Sequence, residues 1–564
     1  MNYKKQITAD LTTVLKDTLT SEEIDHFIEV PKTSEHGDYS FPVFSLAKIY
    51  RKAPNMIAED LAKEVSADHY EQVVPMGGYI NFFLKKEAVS NHVLHTIITE
   101  KANYGKADYG KGGEIPIDLS SPNIAKPMSM GHLRSTVIGN SLAEIVGKIG
   151  FKPIKINHLG DWGTQFGKLI VAYKKWGDEE KIRETPIAEL LKLYVRFHEE
   201  AEEHPELEEE GRRWFKKLEE GDPEAVELWK WFSEESLKEF QGVYDMLGIT
   251  FDSYNGESFY NDKMDAIVEM LNEKGLLVSD QGADIVSLEK YDLNPALIRK
   301  SDGATLYMTR DLAAAVYRND TYDFAESLYV VGNEQSIHFK QLKAVLKEMG
   351  FDWADNIHHI PFGLITSGGK KLSTRKGNVI LLKEVLNEAV AATKAQIMEK
   401  NPDLENKDEV AHQVGVGAVV FHDLKNDRLN SFDFNLNEII QFEGETGPYV
   451  QYTRTRCESI LRKADWQEPQ AADVLALNDV DSWEVIKLLG NFPDKVMEAY
   501  RKYEPSVIAK YLLDVSQKFN KYYSKHKVLA DDTQKESRLA LVYSVSVVIK
   551  EGLRLLGIQS PDQM

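Results

Sequence analysis

The stretch that most constrains the fold is 114–163. EIPIDLS reads as a buried strand, GHLRSTVIGNSLAEIVGKIG as a helix, and FKPIKINHLGDWG as a second strand with its exit loop. Leu133, Val137, Leu142, Ile145 and Ile149 fall on one helical face, and Gly150 stands where the helix should stop. Strand, turn, helix, strand is a βαβ unit, which predicts a parallel, doubly wound sheet. Strand patterns return at 283–290, 327–333 and 358–365.

The turn inside that unit, SSPNIAKPMSM, is poor core material and well suited to holding a phosphate. A helix N-terminus presents unpaired N–H groups and partial positive charge. Gly131 permits close backbone approach, His132 can donate to a phosphate oxygen, and Lys126 adds a mobile charge. Neither GxxxxGK[ST] nor GxGxxG occurs here, so the nucleotide would be held differently. A capped helix behind a prolyl loop accounts for the composition equally well. A second cationic element follows at 362–380, FGLITSGGKKLSTRKGNVI, where Ser-Gly-Gly releases a loop bearing Lys370, Lys371, Arg375 and Lys376. Four cations beyond a glycine hinge suit a triphosphate, and an exposed hairpin tip is the plainer alternative.

At 564 residues the chain exceeds what one core supports, so several domains are expected. The expected division is an α+β unit over 1–110, an α/β domain over 111–442 with an acidic helical insertion at 178–239, and an all-α bundle over 443–564. The formal charge of −22 argues at first against nucleic acid. Its distribution weakens that argument: 178–239 holds 21 acids against 10 Lys and Arg (21 − 10 = 11 excess acids), whereas 447–564 holds 17 basic and 16 acidic residues. Cations alternate with aromatics in GPYVQYTRTRCESILRKAD, at Tyr449, Tyr452, Arg454, Arg456, Arg462 and Lys463, which suits unstacked bases, although a helical bundle with core tyrosines would read alike. The lone Cys457 excludes an intrachain disulfide or cysteine zinc site and suits a reducing compartment. The N-terminal segment lacks a signal-peptide core and no apolar run is long enough for a membrane span, so a cytoplasmic protein is expected.

SPNIAKPMSMGHLRST at 121–136 resembles the signature of the class I aminoacyl-tRNA synthetases, in the long form found in arginyl enzymes. Ser129 stands where the family usually has its first histidine; it keeps a donor but has less reach and cannot carry charge. KLSTR at 371–375 resembles the family's Lys-Met-Ser-Lys-Ser loop and lies about 240 residues after the first motif. Thr374 replaces the second lysine, and the resemblance implies that Lys126 supplies the missing charge. It further implies a Rossmann-like catalytic domain, an N-terminal domain touching the outer corner of tRNA, and a helical anticodon-binding domain. Lys126, His132 and Lys371 become the catalytic residues. Pro122, Asn123, Ser129, Gly131, His132, Lys371 and Ser373 would bind ATP, which arrives with Mg2+. Asp118, Asn123, Tyr307, Asp311 and Gln335 would take the amino acid, and no protein metal centre is implied.

The residue types suit a guanidinium, which is planar, always charged, and needs carboxylates, an aromatic face and amide acceptors. Plainer roles remain open for three of them: Asp311 as N-cap of the LAAAVYR helix, Tyr307 as a strand core residue, Asp118 as a tie for its own loop. HLGDWGTQFG at 158–167 is a further family-like block in which Trp162 would line the pocket. The expected activity is arginine–tRNA ligation by a monomer, with arginine, ATP and arginine tRNA as partners. The alternative is a catalytically impaired tRNA-binding paralogue.

Overall fold

The computed structural model describes residues 3–16, 18–301, 306–372, 374–375 and 378–564; for Lys370, Lys371, Thr374, Arg375, Asn378 and Val379 only the backbone is described. The chain packs into two units.

The first unit comprises 1–101, 463–490 and 518–544. Strands β1 (Tyr39–Pro42), β2 (Tyr70–Met76) and β3 (Tyr79–Leu84) form an antiparallel sheet in the order β1-β3-β2. Met76 faces Tyr79 across a two-residue turn, and Gly77 takes the left-handed conformation (φ +60°) that such a hairpin requires. The helix Lys86–Glu100 packs on Val480–Gly490, so segments distant in sequence share one core. Buried Asp38 ties them, accepting from Trp483 Nε1 at 3.0 Å and from the Leu84 amide at 2.9 Å.

The second unit comprises 102–462, 491–517 and 545–564. Its centre is the expected parallel sheet. β4 (Glu114–Ser120), β5 (Lys152–Asn157), β9 (Ser327–Val330) and β10 (Ile357–Ile360) run in the order β10-β9-β4-β5. The signature helix Leu133–Lys148 is buried far beyond its single apolar face, because it packs on the sheet and against the helices Lys407–Leu424 and Phe492–Lys502. A Cβ at Gly139 would fall 2.2 Å from the Leu119 Cβ, so helix and strand meet this closely only through glycine.

Two strand expectations are corrected. The 283–290 pattern yields β7 (Ala283–Val286), which lies between β6 (Leu277–Asp280) and β8 (Ala296–Arg299) in a separate antiparallel sheet. The 358–365 pattern breaks into β10 and β11 (Ile365–Ser367), which belong to different sheets. Pro361 has no amide to donate, and Gly363 lies so close to Asn430 that a Cβ would come within 2.7 Å of its carbonyl carbon. β11 pairs with β12 (Lys370–Lys371) and, in parallel, with β15 (Phe432–Asp433); β13 (Thr374–Arg375) pairs with β14 (Asn378–Val379).

The acidic insertion forms helices Glu179–Glu184, Pro186–Glu203, Glu206–Glu219 and Pro223–Leu247. It is more than an ornament on the side of the sheet. Tyr244 of the last helix bonds through its hydroxyl to Ser120 Oγ (2.8 Å) and Asn157 Nδ2 (3.0 Å), beneath the ends of β4 and β5.

Candidate active site at the strand ends

The loops after β4, β5 and β9 all leave the C-terminal edge of the parallel sheet, where open α/β sheets hold ligands. The first two are laced together. Ile124 N–H donates to Gly160 O (3.1 Å) and Gly160 N–H to Pro122 O (3.0 Å), while Asn123 bridges Gly160 in parallel register. A Cβ at Gly160 would sit 2.1 Å from Asn123 Oδ1, so a side chain there would displace that amide. The acidic insertion holds the same loops from behind: Ser236 Oγ accepts from the Ala125 amide at 3.2 Å, and Trp229 Nε1 donates to Asp161 O at 2.7 Å. Ala125 takes a left-handed φ of +61°, and the turn leaves Pro122 buried with Asn123 and Lys126 exposed.

A short 3-10 turn, Met130–His132, opens the signature helix. The Ser129 amide donates to His132 Nδ1 at 3.0 Å, with Ser129 Oγ 3.3 Å from the same nitrogen. An accepting Nδ1 places the proton on Nε2, which is left as a donor. Burial pushes the His132 pKa down, so the ring is neutral at physiological pH. Gly131 is exposed, and a Cβ there would meet only Ser129 Oγ, at 3.4 Å. The second cationic element abuts this turn: Met130 N–H donates to Ile380 O (3.1 Å), Leu382 N–H to Met128 O (2.9 Å), and Ser129 bridges Leu381. Lys371 is the second residue of β12, and Ser373 lies outside the described residues.

The amino-acid residues divide by burial. Asp118 in β4 is buried and paired, Oδ2 to Arg318 Nη2 at 3.1 Å, and Arg318 lies 5.3 Å from the centre of the Tyr329 ring. Tyr307 starts the helix Tyr307–Tyr322 and is 71% exposed, which removes the strand-core alternative. Asp311 is the fifth residue of that helix and caps nothing; its Oδ2 meets His338 Nε2 at 2.5 Å. Gln335 is exposed in the turn after β9.

Sequence reasoning missed Glu257. Burial raises its pKa to about 7, against the opposing pull of Arg310 and with help from Asp161. Nothing in NGESFYND distinguishes it from a surface acid. Also missed were Arg318 and the contact that the helix Pro223–Leu247 makes with the strand ends through Tyr244. That helix was legible, since Trp229, Phe232, Ser236, Phe240, Val243 and Leu247 recur every three or four residues through the acidic text. The half-buried Trp162 ring packs against Phe215 and Trp229. Asn157 Oδ1, His158 Nδ1, Arg310 Nε, Arg318 Nε and Tyr329 OH are buried with no protein partner among the described residues, so polar capacity collects around this edge.

The aromatic and basic helix Gly447–Lys463 is partly structural. Arg454 is buried and grips the C-terminal tail, donating to Ser560 O and Pro561 O (both 3.1 Å) and Asp562 Oδ1 (2.6 Å). Tyr452, Arg462 and Lys463 are exposed. Among the described residues no helix is long and apolar enough to cross a membrane.

Residues 93–436 match the family model of the class I (R) tRNA synthetase catalytic domain, 450–564 that of the DALR anticodon binding domain, and 2–84 that of the arginyl tRNA synthetase N-terminal domain. The chain is 66% identical to the arginine–tRNA ligase of Enterococcus faecalis and 64% to that of Latilactobacillus sakei, each covering all of both chains. The arginyl-tRNA synthetase of Thermus thermophilus superposes over the whole of both chains with a TM-score of 0.79 at 25% identity. By its catalytic portion and its full-length likeness to these relatives, the chain belongs to the arginyl family of the class I tRNA synthetases.

Proposed function

We propose that the protein is an arginine–tRNA ligase. An arginine carboxylate oxygen attacks the α-phosphorus of ATP, the bond to the β-phosphate oxygen breaks, and pyrophosphate leaves. A hydroxyl of the terminal ribose of arginine tRNA then attacks the acyl carbon and releases AMP. The first step needs alignment and positive charge more than a base. One observation carries the reading: the two cation-bearing elements meet by backbone pairing at Met128–Met130 and Ile380–Leu382, beside the ends of the parallel sheet.

His132 Nε2–H donates to a phosphate oxygen, while Lys126 and Lys371 offset the charge on the departing pyrophosphate. Pro122, Asn123, Ser129, Gly131 and Ser373 shape the nucleotide site. Asn123 and Gln335 hold the α-amino and polar groups of arginine. Asp311 and Tyr307 take its side chain, joined by Glu257, and Asp118 acts from the pocket floor through its pairing with Arg318. The phosphate turn offers imidazole, hydroxyl and amide groups, not a set of carboxylates. Mg2+ therefore fits as a partner of the triphosphate oxygens, where it supplies charge neutralisation. The three-part division at 110 and 442, a monomeric state and a cytoplasmic location complete the reading.

Ser129 is the one feature that favours an impaired paralogue. That support is weak, because the Ser129 amide still sets the His132 tautomer. The test is ATP–pyrophosphate exchange with arginine, with and without arginine tRNA. Exchange that needs the tRNA is expected from the family resemblance; no exchange in either condition, with tRNA binding retained, would overturn the reading. Lys126→Ala should lower exchange about a hundredfold with unchanged melting, as expected for a lost transition-state donor. A near-normal rate would remove Lys126 from the role left open by Thr374.

A further inference from the structure

The second loop is anchored at both ends, and the two anchors differ in kind. Its exit is held by the backbone pairing at Met128–Met130. Its entry is β11, whose partner β15 meets a buried side chain of the signature helix. Arg134, the second residue of that helix and 1% exposed, donates from Nη1 to Asn430 O (2.9 Å) and from Nε to Asp423 Oδ1 (3.3 Å). Its guanidinium carbon lies 4.9 Å from the centre of the Phe432 ring and 5.8 Å from that of Phe362.

The hydrogen-bond and ring partners named for Arg134 lead toward the loop. Phe432 pairs with Ile365, and Asp433 with Thr366. Asp433 also accepts from the Thr366 hydroxyl and from the Gly369 amide (3.3 Å), at the glycine pair that releases the cations. Asp423, also 1% exposed, sits on Lys407–Leu424, whose His422 bonds to Asp433 O at 2.9 Å. Arg134 Nη2 and Asp423 Oδ2 have no partner among the described residues. A buried pair left half-satisfied is poor value as a stability device, because apolar residues of similar volume often serve as well or better. Its fork geometry does fix direction.

We propose that Arg134 is a positioning residue that sets where the Lys370–Lys371 strand stands relative to the phosphate turn, by locking β15 and hence β11 to the start of the signature helix. The inference deepens the ligase reading and rests on it. A small displacement of the loop entry would misplace the charge that meets the leaving pyrophosphate and leave the arginine pocket untouched.

The test uses two variants of the full chain in the tRNA-dependent exchange assay. R134M/D423V replaces both partners by apolar groups; R134K keeps the charge but cannot span both acceptors. For R134M/D423V the expected result is unchanged melting, a loss of about 10- to 100-fold in kcat/KM for ATP, the scale of a roughly 1 Å misplacement, and an unchanged KM for arginine. R134K should fall in the same direction by less. A purely structural role would lower melting or shift both substrates together. Wild-type ATP constants in either folded variant would overturn the inference, and R134K decides it should the double variant fail to fold. No exchange by the unsubstituted protein would instead bring down the ligase reading, and the inference with it.

Discussion

Asp118 and Asp311 belong to the same sheet edge and are treated oppositely. Asp118 is buried in β4 against Arg318, itself 1% exposed, so its charge is already matched. Asp311 lies two turns N-terminal of Arg318 on one face of the helix Tyr307–Tyr322, half-buried against His338. A substrate guanidinium cannot shed its charge and therefore needs carboxylates that are not already neutralised. On the proposed reading, one helix serves the frame at one end and the ligand at the other.

The largest effect should come from breaking the frame. Asp118→Asn strands Arg318 in the interior, and an uncompensated buried charge costs about 3–5 kcal/mol. The urea midpoint of unfolding should drop accordingly, and a midpoint equal to wild type would erase the distinction between the two acids. Next comes the ligand side. Asp311→Ala should raise the KM for arginine about a hundredfold, the scale of one lost charged contact, with the ATP KM and urea midpoint near wild type. Equal losses for both substrates would place Asp311 in the frame with Asp118.

This division was only partly legible beforehand. The parallel sheet, its signature turn and the second loop follow from local pattern, because strand alternation, helical spacing and glycine punctuation are properties of neighbours in sequence. Asp118 and Asp311 could be picked out as chemical types, but their difference depends on Arg318, 200 residues from Asp118, and no local rule pairs those two. Arg454 failed for the same reason: in sequence it is one cation in a basic, aromatic run, and only the tail at Ser560–Asp562 makes it structural. The split at Pro361–Gly363 was hidden because the apolar run continues across it, and the steric limit lies at Asn430.

Glu257 sharpens the comparison most finely: the proposed function sets it beside the ligand, and the pull of Arg310 does not outweigh its burial. Its pKa, raised from 4.5 to about 7 by desolvation, leaves it partly protonated at neutral pH. Arginine binding favours the carboxylate, so binding releases a proton and affinity should weaken as pH falls below about 7, by at most about tenfold per pH unit for one linked proton. Glu257→Gln should bind less tightly at pH 8 and lose that slope. Stability carries the opposite sign. Between about 4.5 and 7 the folded state binds more protons at this site than the unfolded chain does, so its contribution falls as pH rises through that window. Glu257→Gln removes the ionisation and should gain on wild type above pH 7, the gap closing toward pH 4.5. Calorimetric titration of arginine across pH 5.5–8.5 checks the first sign and urea midpoints at the same pH values check the second. Parallel slopes for wild type and Glu257→Gln would move Glu257 out of the ligand set and leave Asp311 as the acid that meets the guanidinium.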